Sequence, residues 1–380
     1  MHLGFLTPEY PHARSTPAAG IGTSIRNMAL ALIDKGIQVS VFVYSQKEDA
    51  LLQDEGISLH LIRHRRYKYL GWFLYRKHLQ NYLNKHIAVQ KIDAMEAPDW
   101  TGITAFMKLR APLVIRMNGT DAYFCHLEKR PQKNKNFFFE KSALQAADHL
   151  VSVSDFTARE TAAIFGLKKP IHVIPNSVDI SSFSSDETEV EPFSILYFGT
   201  IIRKKGVLEL GEIFNRIVRY CPEASLYIAG NDVVDQQNFL STRALLMDEF
   251  TEEAGKKVKW LGLLPYHQVR QQIAKAQVVV LPSYAEALPM AWLEAMAMEK
   301  ALVTSNIGWA PEVMIDGETG FTVHPTDHPA YAARVMELLK DVELGKEMGR
   351  KARERVEKHF SAEVVAERNI EFYTRITAKK

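Results

Sequence analysis

Apolar residues come along this chain in short, nearly unbroken runs, separated by longer segments in which they recur every three or four positions. In the first half, LGFLT, VSVFVY, ISLHLI, LVIRM, HLVSVS and IHVIP, with a shorter run around Ile92 to Met95, carry the β-branched and aromatic character of strands. The helical spacing between them predicts helices over Thr23 to Lys35 and over 74–88, 101–109, 137–147 and 156–165. Runs this apolar leave no solvent face, so each strand is expected to be buried on both sides of a helix-covered parallel sheet.

One segment interrupts the rhythm. SVDISSFSSDETEVEP, from Ser177, is rich in serine and acid with few apolar anchors, and reads as a linker. The alternation then restarts with SILYFG and runs through SLYIAG, VKWLGL, QVVVLP, ALVTS and GFTVHP before ending in helices. This predicts an α/β protein of two Rossmann-like, doubly wound parallel-sheet domains, residues 1–180 and 192–360, with a cleft between them. A chain of 380 residues is too long for one ordinary core, which agrees.

Bulk properties narrow the class. The chain is 47% hydrophobic and 24% charged, the balance of soluble globular proteins, which argues against disorder or a fibrous architecture. Cys125 and Cys221 stand far apart without metal-ligand spacing, so neither a disulfide framework nor a zinc site is expected. MHLGFLTPEY lacks a basic leader, and no apolar stretch approaches the roughly 20 residues that cross a bilayer, so a cytoplasmic location is expected. The net charge of +2 hides an asymmetry: residues 1–180 hold 23 Lys and Arg against 16 Asp and Glu, and the remainder 24 against 29.

The most informative stretch is VVVLPSYAEALPMAWLEAMAMEKALVTS. A buried strand ends at Pro282, a short loop carries Glu286, and a helix then carries Glu294. Ligands of open α/β sheets bind outside the carboxyl ends of the strands, and the N-terminus of the following helix suits an anion such as a diphosphate. On one continuous helix the two carboxylates would stand about 12 Å apart, too far to share a proton but suited to two contacts on an elongated ligand. An arbitrary pair at this spacing would be a solvated helix residue and a loop residue. Here Leu288, Met290, Ala291, Trp292, Leu293, Ala295 and Met296 surround Glu294 with apolar side chains, so it needs a partner.

EALPMAWLEAMA followed by SNIGWAPEVMIDGETGFTV resembles the donor-site signature of the family 4 (group 1) retaining glycosyltransferases, which have the GT-B fold. The resemblance extends over TPEYPHARSTPAAGIGTSI, EAPDW, VSVSDFT, IPNSVD and FGTIIRKKG, nearly the whole chain. It implies a metal-independent hexosyltransferase that uses a nucleoside diphosphate sugar as co-substrate and no further cofactor. Glu286 would hold hydroxyls of the transferred sugar, the backbone of Ala287, Leu288 and Pro289 would line the sugar and phosphate, and Glu294 would bind the ribose. Lys205 would neutralise the departing pyrophosphate. The base would be read near Leu263 and Leu264. The C-terminal segment FSAEVVAERNIEFYTRI is helical and amphipathic, and in the family this helix, here 361–380, crosses back onto the first domain.

Three positions depart from the family pattern. Gly199 is followed by Thr200 where the family often has arginine, so Arg203 or Lys204 would supply a cation, and which of Arg203, Lys204 and Lys205 reaches the phosphate stays open. Gly20 and Gly22 lie between the first strand and a helix, where a backbone can approach a phosphate or sugar, although a simple turn explains them equally well; Ala19 replaces the first of the family's two adjacent glycines. Asn118 stands where many members carry a histidine that touches the donor sugar. An amide donates and accepts hydrogen bonds without titrating, so a positioning role survives and an imidazolium role does not.

The acceptor side is less legible. Asp99 and Trp100 are expected there, with the basic loop Lys129 to Lys141. Between Arg63 and Lys91 lie eight Lys and Arg and no acid, interleaved with Tyr67, Tyr69, Trp72, Phe73, Tyr75 and Tyr82. The run suits an anionic membrane surface, where lipid-linked acceptors of cell-surface polysaccharide synthesis reside, and equally a solvated helix packing its aromatics on the sheet. Nucleic acid is not expected as a partner. Rival functions are a sugar-nucleotide epimerase or hydrolase of the same fold and a noncatalytic nucleotide-sugar binder. A nicotinamide enzyme lacks its G-x-G-x-x-G.

Overall fold

A computed structural model of the protein describes residues 1–16, 20–183 and 188–378. Ala19, residues 184–187 of the expected linker and the last two residues of the expected C-terminal helix lie outside the described residues. The chain divides into two compact units, Met1–Ser177 with Phe360–Lys380, and Val178–His359.

Unit 1 contains β1 (His2–Thr7), β2 (Gln38–Gln46), β3 (Ala50–Asp54), β4 (Ile57–Arg63), β5 (Ala94–Pro98), β6 (Leu113–Met117), β7 (His149–Ser152) and β8 (Ile171–Val173), in the sheet order β3-β4-β2-β1-β5-β6-β7-β8. Its helices are α1 (Gly20–Asp34), α2 (Gly71–Gln90), α3 (Asp121–Leu127), α4 (Asn134–Ala146) and α5 (Asp155–Phe165). Alternation along β1 sends Leu6 into a core with Leu79 and Leu83 of α2 and Leu144 of α4, while Leu3 and Phe5 meet Met28 and Leu32 of α1 on the opposite face.

Unit 2 has β9 (Ser194–Phe198), β10 (Ser225–Ala229), β11 (Val258–Gly262), β12 (Val278–Leu281), β13 (Ala301–Ser305) and β14 (Phe321–Val323), all parallel, in the order β11-β10-β9-β12-β13-β14. Between them run α6 (Leu210–Tyr220), α7 (Thr242–Glu249), α8 (Glu252–Gly255), α9 (Tyr266–Lys275), α10 (Met290–Ala297) and α11 (Ala310–Val313), followed by α12 (His328–Lys340) and α13 (Val342–His359). The chain then returns to unit 1 as α14 (Ala362–Thr377), which packs on α1.

A buried charge network fixes α14 in place. Arg116 on β6 donates to both carboxylate oxygens of Glu96 on β5, at 2.8 and 3.0 Å, and to Oδ1 of Asn369 at 2.7 Å. Tyr373 donates to the same carboxylate. Every polar group of the network faces a partner of opposite charge or hydrogen-bonding sense, which is what makes burial of the ion pair tolerable.

Three expectations are corrected. The sheets are not wholly parallel, because β3 pairs antiparallel with β4. Glu55 and Gly56 between them both have positive φ, 48° and 87°, the geometry of a two-residue hairpin turn. Nor is every strand buried on both faces: β3 and the edge strand β11 are partly exposed. The helix expected at 101–109 is replaced by a single 3-10 turn, Trp100–Gly102. Thr101 and Gly102 both have positive φ, 56° and 55°, so the right-handed hydrogen-bond ladder breaks there, and Gly102 lies so close to α4 that a Cβ would stand 2.3 Å from the Phe139 carbonyl.

Candidate active site

In unit 2 the chain winds from β9 outward through β10 and β11, then resumes on the other side at β12. The junction of β9 and β12 is therefore the switch point of the sheet, and the loops leaving the carboxyl ends of these two strands lie side by side there. The first loop carries Gly199 to Gly206 and the second Pro282 to Pro289. Backbone contact holds them together. The Lys204 carbonyl accepts the N–H groups of Tyr284 and Ala285 at 2.8 and 3.2 Å. Gly206, at φ 65°, comes so close that a Cβ would lie 1.8 Å from the Pro282 oxygen, so no other residue fits. Gly230 meets the Gly199 oxygen in the same way, and Tyr197 donates to the Thr200 carbonyl at 3.0 Å.

This scaffold brings Lys205 Nζ within 3.2 Å of Glu286 Oε1, which also accepts from Ser283 Oγ at 3.1 Å. Both side chains are partly buried, so the pair has a water-facing opening. The Gly199 backbone sits next to Lys205. Glu294 lies on α10 rather than on one helix with Glu286, whose loop precedes it. Burial pushes Glu294 up to about 7, opposed by the Tyr266 hydroxyl donating at 3.0 Å and by the charge of Lys205. Its expected need for a partner is met by Tyr266. Ala287, Leu288 and Pro289 are buried and present backbone. Pro289, at the capping position of α10, has no side chain to accept from the first-turn N–H groups.

The three successive cations divide. Arg203 is engaged by Asp235 through two bonds of 2.8 and 3.0 Å, and Asp235 also accepts the N–H groups of Gln237 and Asn238. The Arg203 guanidinium and these N–H groups hold the Asp235 carboxyl below its ordinary range against the effect of burial. Lys204 contributes its carbonyl to the loop contact, and Lys205 faces the carboxylates. Leu263 is exposed and Leu264 half-buried beyond the end of β11. Sequence reasoning missed Asp235, Tyr266 and Ser283; a run of three cations was itself the signal that one of them would seek an acid.

Unit 1 has its own switch point between β1 and β5. A small pocket there is lined by Leu6, Ser24, Glu96, Pro98, Arg116 and Asn118, among others. Gly20 and Gly22 are not in a loop before the helix but in the first turn of α1. The Glu9 carboxylate accepts the Gly22 N–H at 2.9 Å, so the chain's own anion occupies that N–H. A Cβ on Gly20 would meet nothing, so space does not demand glycine there. Asn118 donates its backbone N–H to Asp99 Oδ1 at 3.1 Å. Asp99 is 0% exposed, so its carboxyl supports the Asn118 turn instead of opening to solvent, whereas Trp100 reaches the surface.

The basic segment 63–91 splits as well. Tyr75 is buried and Tyr82 bonds to His60, as a core-facing helix requires. Tyr69, Leu70, Trp72 and Leu74 are exposed, and the Trp72 ring meets Phe106, which in turn meets exposed Phe138. Lys77 bonds to the Phe106 carbonyl. No helix is long and apolar enough to cross a membrane, and no cluster of three His, Cys, Asp or Glu could hold a metal among the described residues.

Residues 180–355 match the family model described as glycosyl transferases group 1, and residues 18–182 match glycosyltransferase family 4. The alpha-maltose-1-phosphate synthase of Mycolicibacterium smegmatis is 30% identical over 260 residues, 63% of this chain and 66% of that protein. A glycogen synthase of Mycobacterium tuberculosis is 30% identical over 237 residues, 62% of this chain and 56% of that protein. The matches thus span 56 to 66% of these relatives' own lengths. Among solved structures, the sucrose-phosphate synthase of Thermosynechococcus elongatus superposes with a TM-score of 0.79 at 18% identity over 100% of both chains. Anabaena Alr3699/HepE in complex with UDP-glucose gives 0.75 at 17% identity, covering 99% of this chain and 100% of that one. At such identities the likeness shows the fold, which is GT-B.

Proposed function

Because the chain belongs to the group 1, family 4 glycosyltransferases, we propose that it moves a hexose, with retention at the anomeric carbon, from a nucleoside diphosphate sugar to a glycan or lipid-linked acceptor in cell-surface polysaccharide synthesis. The observation that carries the reading is the Lys205–Glu286 pair at the switch point of unit 2, immediately ahead of the N-terminus of α10.

Each group then has one task. The Glu286 carboxylate accepts hydrogen bonds from hydroxyls of the transferred sugar, each worth about 1.5–3 kcal/mol as a charge-assisted bond. Glu294, on α10 beyond it, accepts from the ribose. An ammonium has three donors, so Lys205 can keep Glu286 and still reach a phosphate oxygen. As the bond from the anomeric carbon to the phosphate oxygen breaks, charge builds on the diphosphate. Lys205 and the first turn of α10 stabilise that charge more in the transition state than in the ground state, which is the condition for catalysis. The acceptor hydroxyl attacks the same face, its oxygen bonds to the anomeric carbon, and its proton passes to the departing phosphate oxygen. Protein cations and a helix end serve where a metal otherwise would, so a chelator is expected to leave turnover unchanged.

In unit 1, Asn118 at the rim of the pocket offers a neutral donor and acceptor to a sugar hydroxyl, and Trp100 belongs to the acceptor side. The exposed ring cluster of Trp72, Phe106 and Phe138, amid Lys and Arg, supports docking on an anionic membrane surface. Sedimentation with anionic but not neutral vesicles tests it; equal binding to both removes it. Product analysis tests the enzyme reading: a transferase yields one nucleoside diphosphate per glycoside formed, an epimerase or hydrolase gives nucleotide without glycoside, and a binder gives neither.

A further inference from the structure

Two buried carboxyls hold the turn that carries Asn118, and they are not equivalent. Asp99 follows β5; its Oδ1 accepts the Asn118 N–H at 3.1 Å, and its Oδ2 is buried with no hydrogen-bonding partner. Glu140 on α4 takes the other end of the same turn. Its Oε1 accepts the Asp121 N–H at 2.9 Å, and its Oε2 accepts the Ala122 N–H at 3.2 Å and Gln132 Nε2 at 3.1 Å. Three N–H donors can hold a buried carboxylate ion, whereas an ion with one oxygen bare in the interior is costly. A proton on Oδ2 removes that cost. The charged groups on the packed elements do not bond to Asp99: Asp121 is an acid already paired with Arg130, and Arg76 on α2 directs its two Nη groups to the carbonyls of Trp72 and Gly102. Burial pushes Asp99 up to about 8, with nearby Glu140 adding to the rise and the Asn118 and Gly119 N–H groups opposing it. Glu140, also raised by burial, reaches about 7.

We propose that Asp99 is a positioning residue for Asn118: as a neutral acid it seats the turn 118–120 against the end of β5, while Glu140, held by three N–H donors, anchors the same turn at the start of α3. Gly119 makes the seating sensitive. It sits at φ 94° with its Cα against the Phe124 ring, so the turn has little room to slide. Ionisation of Asp99 places a second negative charge beside Glu140 and unseats Asn118. The consequence for transfer rests on the reading of Asn118 as a sugar contact; the seating itself does not.

The full chain with Asp99→Asn and with Asp99→Leu is compared with wild type by hydrogen exchange in the peptide 116–123 and by the pH profile of kcat. Asparagine keeps an acceptor for the Asn118 N–H and cannot ionise. We expect exchange, corrected for its intrinsic pH dependence, to rise about tenfold in wild type from about pH 7 to about pH 9 and to stay level in Asp99→Asn. Asp99→Leu is expected to be exposed already at neutral pH. The wild-type kcat falls about tenfold over the same interval and that of Asp99→Asn does not. Exchange that is level in wild type, or an Asp99→Asn variant as unprotected as Asp99→Leu, overturns the proposal without touching the transferase reading. Exchange as stated beside a flat wild-type kcat supports the seating and counts against Asn118 as a sugar contact.

Discussion

Lys205 stands between two carboxylates: its Nζ is 3.2 Å from Glu286 Oε1, and its charge draws down the proton affinity of Glu294 on the following helix. Glu286→Ala and Lys205→Ala are each expected to lower kcat by about 10²–10³, the range for loss of one preorganised electrostatic contact. The double variant should lose less than the product of the two. Initial rates of nucleoside diphosphate release check this.

Glu294 sets a pH dependence whose direction follows from its environment. Its folded pKa is raised from 4.5 to about 7; on the proposal that it accepts from the ribose, the ionised form is the stronger acceptor, so the KM for donor is expected to rise as pH falls below about 7. Glu294→Gln should flatten that profile. Stability runs the other way. A carboxyl raised on folding contributes stability at low pH that is lost as pH climbs through about 7, so the Tm of wild type relative to Glu294→Gln declines over that span.

Asp235 is expected to act on the donor loop without touching a ligand. Its replacement by alanine releases Arg203 and removes the carboxylate acceptor of two backbone N–H groups. Unmade bonds of this kind cost about 1–3 kcal/mol. The Tm should fall and the donor KM should rise, with Asp235→Asn giving an intermediate loss.

The Glu96–Arg116 pair gives the sharpest stability contrast. Both side chains are almost wholly buried, at 4% and 3% exposure. Glu96→Leu leaves an unpaired interior cation and is expected to cost about 3–5 kcal/mol in denaturant unfolding. Glu96→Leu combined with Arg116→Met should recover most of that loss, because no charge is then buried.

The sequence made some of this plain and hid the rest for identifiable reasons. Strands such as LVIRM and VVVL were legible because a doubly covered parallel strand must be apolar throughout, and Glu294 was legible because an acid in so apolar a helix needs a partner. The antiparallel β3 was not, since its half-exposed residues and the turn Glu55–Gly56 lack the Asn-Gly or Asp-Gly that marks a tight hairpin. The apolar spacing over 101–109 mimicked a helix, but Thr101 and Gly102 take left-handed backbone where Gly102 packs on α4. Glu9 on the Gly22 N–H and Asp235 on Arg203 are contacts between separate segments, and these, like the burial of Asp99, are encoded by neither periodicity nor local motif.

Binding of a nucleoside diphosphate compared with that of its sugar conjugate isolates the Glu286 contact. Titration calorimetry of wild type should show the sugar conjugate bound more tightly than the bare diphosphate, and Glu286→Ala should bind the two alike while keeping its affinity for the diphosphate. A Glu286→Ala variant that retains the full sugar-dependent increment would contradict the assignment.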